Sequence, residues 1–179
     1  MEKICLALFV LLVVHLKAFE QAKVANLLCE NKINPTGLSV TRPRLSWQLI
    51  TPKRNVMQTA YEVKVTSDAA SGKAGKEVWS SGRISSSQSV YVTYAWAPMQ
   101  QGVKYKWQVR VWDNDNKVSD WSPAAQWQVG LLTSSDWKAK WIEVGHKEDT
   151  SRPGALFRKQ FSTRKKIKSA VAYITSHGI

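Results

Sequence analysis

YKWQVRVWDNDNKVSDWSPAAQWQV, residues 105–129, decides the fold. In its first run Tyr105, Trp107, Val109 and Val111 fall on one face, with Lys106, Gln108 and Arg110 on the other. That is the period-two pattern of a strand with one buried face. The connector Asp113-Asn114-Asp115-Asn116-Lys117 is all polar and made of residues that accept turn geometry, so the stretch reads as two strands joined in a hairpin. Tyr105 has two readings at this point. Its hydroxyl can anchor on upstream backbone, the tyrosine corner of immunoglobulin-like sheets, or the ring can simply pack.

Upstream, the same alternation recurs. Residues 24–30, VANLLCE, lead to the turn cluster Asn34-Pro35-Thr36-Gly37, after which Leu45, Trp47 and Leu49 alternate. In residues 58–67, QTAYEVKVTS, Tyr61, Val63 and Val65 oppose Ala60, Glu62 and Lys64. Residues 68–76 are small, polar and Gly-containing, a hairpin loop. Val78-Trp79-Ser80-Ser81-Gly82 gives a short strand and turn, and residues 89–94, SVYVTY, another strand. About seven short strands at roughly ten-residue spacing, without helical periodicity, predict an all-β fold: a fibronectin type III or immunoglobulin-like β-sandwich over residues 24–132. All nine tryptophans lie from Trp47 to Trp141 and are expected to be mainly core mass.

The 179 residues leave room for one ordinary domain and part of another. Met-Glu-Lys followed by an apolar run over residues 4–14 is too short to span a bilayer and has the charged front of a secretory signal. Residues 1–22 are therefore expected to be a signal peptide, cleaved near Ala18 or Ala22, and the protein secreted or periplasmic with no stable membrane span. An uncleaved anchor is the competing reading. Cleavage would leave Cys29 as the single cysteine, so stability must come from a packed core, with the thiol buried in it.

After Gly130 the pattern changes. Ser134-Ser135-Asp136 supplies N-cap chemistry, and Trp137 and Trp141 stand four apart, predicting a short helical turn within a linker over residues 133–154. Residues 155–161, ALFRKQF, and 170–175, AVAYIT, read as alternating segments opening a second β-sandwich at 155–179, too short to bury a core. Residues 150–179 hold seven basic residues and no acid, +7 of the chain's net +13. This charge reads either as a patch for nucleic acid or acidic glycans or as a solvated strand edge and turn; the solvated edge is favoured, and a secretion signal argues against nucleic acid as a partner.

In order, NPTGLSVTRPRLSWQL (34–49), QTAYEVKV (58–65), VWSSGRISSSQS (78–89), the 105–130 hairpin, SDWKAKWI (135–142) and FRKQF (157–161) resemble the N-terminal region of bacterial α-L-rhamnosidases of glycoside hydrolase family 78. The resemblance implies an accessory fibronectin-type domain ahead of carbohydrate-binding-like sandwiches and an (α/α)6 barrel. It also implies inverting hydrolysis of terminal α-L-rhamnose by two carboxyl groups about 6.5–9.5 Å apart. Those carboxyl groups belong to the barrel and map to no position here. The implied partners are rhamnose-containing glycans, reached through the downstream domains, and those domains themselves by intramolecular docking.

The chain's own residues offer little chemistry. Asp113, Asp115 and Asp120 cluster at one turn, where Asp serves backbone geometry, and Lys117 with no following glycine or Glu spoils a calcium loop. His15, His146 and His177 have no zinc spacing, and Ser122 has no nucleophile-elbow setting. The expectation is no catalytic residue, no cofactor and no metal. Trp96 and Trp112, at strand ends, are candidate sugar-stacking platforms, with core or rim packing the favoured alternative, and Arg110 is placed to stack on Trp121 in a Trp-Ser motif like that of cytokine-receptor modules. The alternatives to an accessory module are a non-catalytic carbohydrate-binding module and a cell-surface interaction module.

Overall fold

A computed structural model describes residues 21–67, 75–143, 145, 156–167 and 170–176. Residues 1–20, 68–74, 144, 146–155, 168–169 and 177–179 lie outside the described residues, and with them most of the expected signal peptide, most of the expected 68–76 loop and part of the expected 133–154 linker. Eight strands form: β1 (Lys23–Cys29), β2 (Arg44–Ile50), β3 (Gln58–Ser67), β4 (Lys76–Ser80), β5 (Ile84–Ser85), β6 (Val92–Thr93), β7 (Lys104–Asp113) and β8 (Ala125–Gln128). They make two antiparallel sheets, β1-β2-β6 and β4-β3-β7-β8, with β5 also paired to β3. The chain divides into two compact units, Met1–Lys138 and Ala139–Ile179, and all eight strands belong to the first.

The expected alternation sets which side chains face inward. Opposite one another on β3 and β7 are Tyr61 and Val111, Val63 and Val109, and Val65 and Trp107, all buried. Val24, Cys29, Leu45 and Trp47 from the other sheet join them in one core. Trp47 meets Tyr61 edge-on at 5.2 Å between centroids, and Trp127 lies 5.9 Å from Tyr105 and 6.4 Å from Trp107. Gln58 is a polar hub in this core. Its side-chain carbonyl accepts from Trp47 Nε1 at 2.9 Å, and its amide donates to the Ser86 and Gln88 carbonyls at 3.1 and 2.8 Å. A buried indole N–H costs free energy unless paired, so Gln58 is part of what lets Trp47 be interior.

The turn cluster at 34–38 has a structural purpose beyond reversing the chain. Leu38 bridges Val129 in parallel, its N–H donates to the Gln128 carbonyl, and the Gln128 and Gly130 N–H groups donate to the Pro35 and Leu38 carbonyls. Asn34 Oδ1 accepts from Gln126 N–H at 2.8 Å. This strip covers the outer edge of β8, which blunts an otherwise open sheet edge.

Four sequence expectations need correction. The SVYVTY strand shrinks to Val92–Thr93, because Tyr91 adopts a left-handed φ of 54° and gives its N–H to Ser46 Oγ instead of a ladder partner. The helical turn is a single 3-10 turn, Ser134–Asp136, whose N-cap is Thr133; Trp137 is already extended, so Trp137 and Trp141 share no helical face. The tryptophans are not mainly core: only Trp47, Trp107 and Trp127 are fully buried, while Trp96 and Trp141 are exposed. Finally, FRKQF and AVAYIT form no strand among the described residues, and Leu156, Phe161 and Ile174 are exposed. An alternating segment becomes a strand only when a neighbour supplies ladder partners and covers its apolar face.

Candidate functional site

The two sequence-nominated tryptophans sit in different surroundings. Trp96 follows β6 and is 54% exposed, beside a concavity of about 370 Å³ whose walls include Tyr94, Pro98, Met99, Val103 and Tyr105. Tyr105 in that wall accepts a hydrogen bond on its hydroxyl from Gln100 N–H at 3.0 Å. The corner reading of Tyr105 therefore holds: the ring packs on Trp127 while the hydroxyl pins backbone five residues upstream. Tyr94 is buried there, and desolvation followed by the Tyr105 phenol pushes its hydroxyl up to about 12.

Trp112 belongs to a ladder on the outer face of the larger sheet. Lys64 Nζ lies 4.1 Å from the Trp121 ring centroid and Arg110 Cζ 4.7 Å from the same ring. Arg110 Cζ is also 5.2 Å from the Trp112 centroid, and Arg83 Cζ 4.8 Å from it. The order is Lys64, Trp121, Arg110, Trp112, Arg83, cation alternating with indole. Glu62 fixes the centre, accepting from Arg110 at 2.8 Å (Nε) and 2.7 Å (NH2), and Arg83 donates to Asn116 Oδ1 at 3.0 Å.

Local sequence builds this ladder. Glu62, Lys64 and Arg110 are outward positions of β3 and β7, with Glu62 directly opposite Arg110. Trp121 comes from the return segment, which β7 holds through two serines. Ser119 Oγ accepts from Val111 N–H and Ser122 Oγ from Val109 N–H, at 3.0 and 3.1 Å, while Ser119 and Ser122 N–H donate to the carbonyls of Val111 and Val109. Serines three apart thus replace strand pairing and present the tryptophan between them outward. The sequence reading found Arg110 on Trp121; it missed Lys64 and Arg83, although the outward phase of Lys64 on β3 was a usable signal. Asp113 is occupied as a turn cap, its Oδ1 accepting from the N–H groups of Asp115 and Lys117 at 2.9 and 2.8 Å.

Elsewhere, Arg44 pairs with Glu30 at 2.7 Å, lies 4.7 Å from the Tyr91 centroid, and holds the Glu30 carboxyl below its ordinary range. Asp136 is lowered to about 2 by hydrogen bonds from Gln101 and Thr133. Cys29 is buried, and desolvation with the Glu30 charge pushes its thiol up to about 12. Among the described residues no group of three His, Cys, Asp or Glu converges as metal ligands. No helix of the described residues is long and apolar enough to cross a membrane.

The family described as Rha78A-like, N-terminal immunoglobulin domain, matches residues 24–133, which takes in all eight strands except the first residue of β1. The chain belongs to this family. The chain is similar to an alpha-L-rhamnosidase from Formosa agariphila, 37% identical over 155 residues, covering 82% of this chain and 17% of that protein. An alpha-L-rhamnosidase from Streptomyces avermitilis is 44% identical over 110 residues, covering 62% of this chain and 11% of that protein. In three dimensions the chain is similar to the crystal structure of Streptomyces avermitilis alpha-L-rhamnosidase complexed with L-rhamnose, with a TM-score of 0.63 and 40% identity over 69% of this chain and 12% of that one. The alpha-L-rhamnosidase from Dictyoglumus thermophilum gives 0.61 and 34% over 68% and 14%. The chain thus spans about a sixth or less of the curated relatives it matches.

Proposed function

We propose that this Rha78A-like immunoglobulin domain is the N-terminal accessory module of a secreted α-L-rhamnosidase, and that the hydrolysis of terminal α-L-rhamnose belongs to domains outside this chain. The observation that carries the reading is the family match over residues 24–133 combined with coverage of 17% and 11% of two rhamnosidase relatives. The engagement of its carboxylates agrees with it. The Glu62, Asp113 and Asp136 carboxylates are engaged in a cation ladder, a turn cap and a helix cap, which are structural uses. Residues 133–154 then act as a linker and 155–179 as the opening of a second sandwich. Its alternating segments would find ladder partners in the domains to which this module docks.

The purified chain is expected to release no rhamnose from an aryl α-L-rhamnoside. Turnover that scales with the chain at stoichiometric purity would overturn the reading. Secretion carries its own expectation. Ala22 is buried and the Gln21 amide donates to the Val118 carbonyl, so cleavage near Ala18 retains both where cleavage after Ala22 removes them. N-terminal sequencing of secreted protein distinguishes the two.

A second reading, direct carbohydrate contact, is favoured by one observation: Trp96 is half exposed at the mouth of the concavity. In this reading Trp96 offers a ring face for stacking on a sugar, and Trp112, whose ring lies under two guanidinium groups, offers an edge. Titration calorimetry with rhamnose-rich oligosaccharides should then give heat that Trp96→Ala abolishes. No heat at millimolar ligand removes this reading.

A further inference from the structure

The ladder holds more positive charge than its own geometry uses. Three cations, Lys64, Arg110 and Arg83, are strung along two indole rings with one carboxylate, Glu62, bonded to the middle one. Among the described residues neither Lys64 nor Arg83 is ion-paired. Other acids are near in sequence: Glu77 on β4 pairs across from Thr66, Asp115 is bonded to Lys117 at 3.3 Å, and Asp120 precedes Trp121. Lys104 and Lys106 extend the outward basic row along β7, on the same face as Arg110.

A guanidinium stacked on an indole keeps its N–H edge directed sideways in a rigid fork suited to planar anions, and a stacked ammonium keeps three donors. Arg110 turns its edge to Glu62, but Arg83 gives one bond to neutral Asn116, and Lys64 lies over the Trp121 ring. Two preorganised cations therefore flank a neutralised one, separated by two indole rings whose edges are C–H apart from the Nε1–H donor.

We infer that the outer face of the β3–β7 sheet is a docking strip for an acidic oligosaccharide, one bearing carboxylate or sulfate groups on spaced sugar units. Lys64 and Arg83 take the anionic groups, and the edges of Trp121 and Trp112 meet the C–H surface of the intervening sugar. This goes beyond the accessory-module reading and stands or falls separately from it, because it concerns binding by this unit and not hydrolysis by another.

The test is titration of the full chain, at low and at physiological salt, with three probes. These are a sulfated or uronate-bearing oligosaccharide, a neutral oligosaccharide of the same length, and a single-stranded oligodeoxynucleotide of matched charge. Binding of the acidic oligosaccharide alone is expected, weakened by salt. Lys64→Gln and Arg83→Gln should each weaken it by about tenfold, as loss of one charge-assisted hydrogen bond would, while Arg83→Lys restores most of it. Absence of acidic-oligosaccharide binding overturns the inference. So does equal affinity for the oligodeoxynucleotide, or binding that both Gln variants leave unchanged. Thermal melting of each variant identifies unfolding; if a Gln variant unfolds, the charge-retaining Lys64→Arg and Arg83→Lys pair must still bind, and loss of binding in that folded pair overturns the strip.

Discussion

Ser119 and Ser122 show how much a single hydroxyl can decide. Each accepts a backbone N–H of β7 from a buried position, so truncation leaves the Val111 or Val109 donor unpaired inside the protein. Ser119→Ala and Ser122→Ala are each expected to cost about 1–3 kcal/mol in urea unfolding, the penalty of an unsatisfied buried donor. Cys29 and Tyr94 give a pH dependence with a definite sign. Both are acids whose folded pKa is raised to about 12, from ordinary values of 9.0 and 10.0, so the native state holds protons that the unfolded chain has released. Their contribution is fully present below pH 9 and is lost as pH rises toward 12, at up to about 1.4 kcal/mol per pH unit for each proton. The urea midpoint should therefore be lower at pH 10.5 than at pH 8, and Cys29→Ala should flatten part of that fall. Glu30 acts in the opposite direction. Its carboxyl is lowered by Arg44, so the stability it lends is present above the ordinary carboxylate pKa and fades as pH falls below it.

At the scale of elements, the contact between the 34–38 strip and the end of β8 leaves no room for a side chain. A Cβ at Gly130 would stand 3.0 Å from Gly37 Cα, and Gly37 itself needs a φ of 73°. Gly130→Ala is expected to cost about 1–3 kcal/mol as an overpacking defect, read as a fall in melting temperature, and to open the β8 edge to amide exchange. The strip was legible in sequence only as a turn cluster, because Asn-Pro-Thr-Gly signals reversal and carries no information about which edge it will cover. The strand at 89–94 failed for a related reason. SVYVTY alternates correctly, but the buried Ser46 hydroxyl claims the Tyr91 N–H, and a tertiary hydrogen bond outweighs a local strand preference.

For the whole molecule, the sandwich concentrates its stability where the two long central strands meet. Amide exchange should be slowest in β3 and β7, which carry the buried Val63, Val65, Val109 and Val111, and much faster at residues 156–167 and 170–176, which have neither strand nor helix. The all-β class, the 105–129 hairpin, the inward faces of β3 and β7, the buried cysteine and the Arg110–Trp121 stack were all readable from the chain alone. Each is a consequence of period-two alternation or of local turn chemistry, which depend on neighbours in sequence. The division of the nine tryptophans was not readable, since an indole can enter the core or lie partly covered between cations on a sheet face, and which happens depends on the strand that arrives opposite. The same holds for Lys64 and Arg83, brought to one ladder from β3 and from the turn before β5. Sequence by itself determined that this protein is a β-sandwich and which residues face inward, because side-chain phase along a strand is a local property. Only tertiary structure decided which outward residues stand together, because that is set by strand register between segments tens of residues apart.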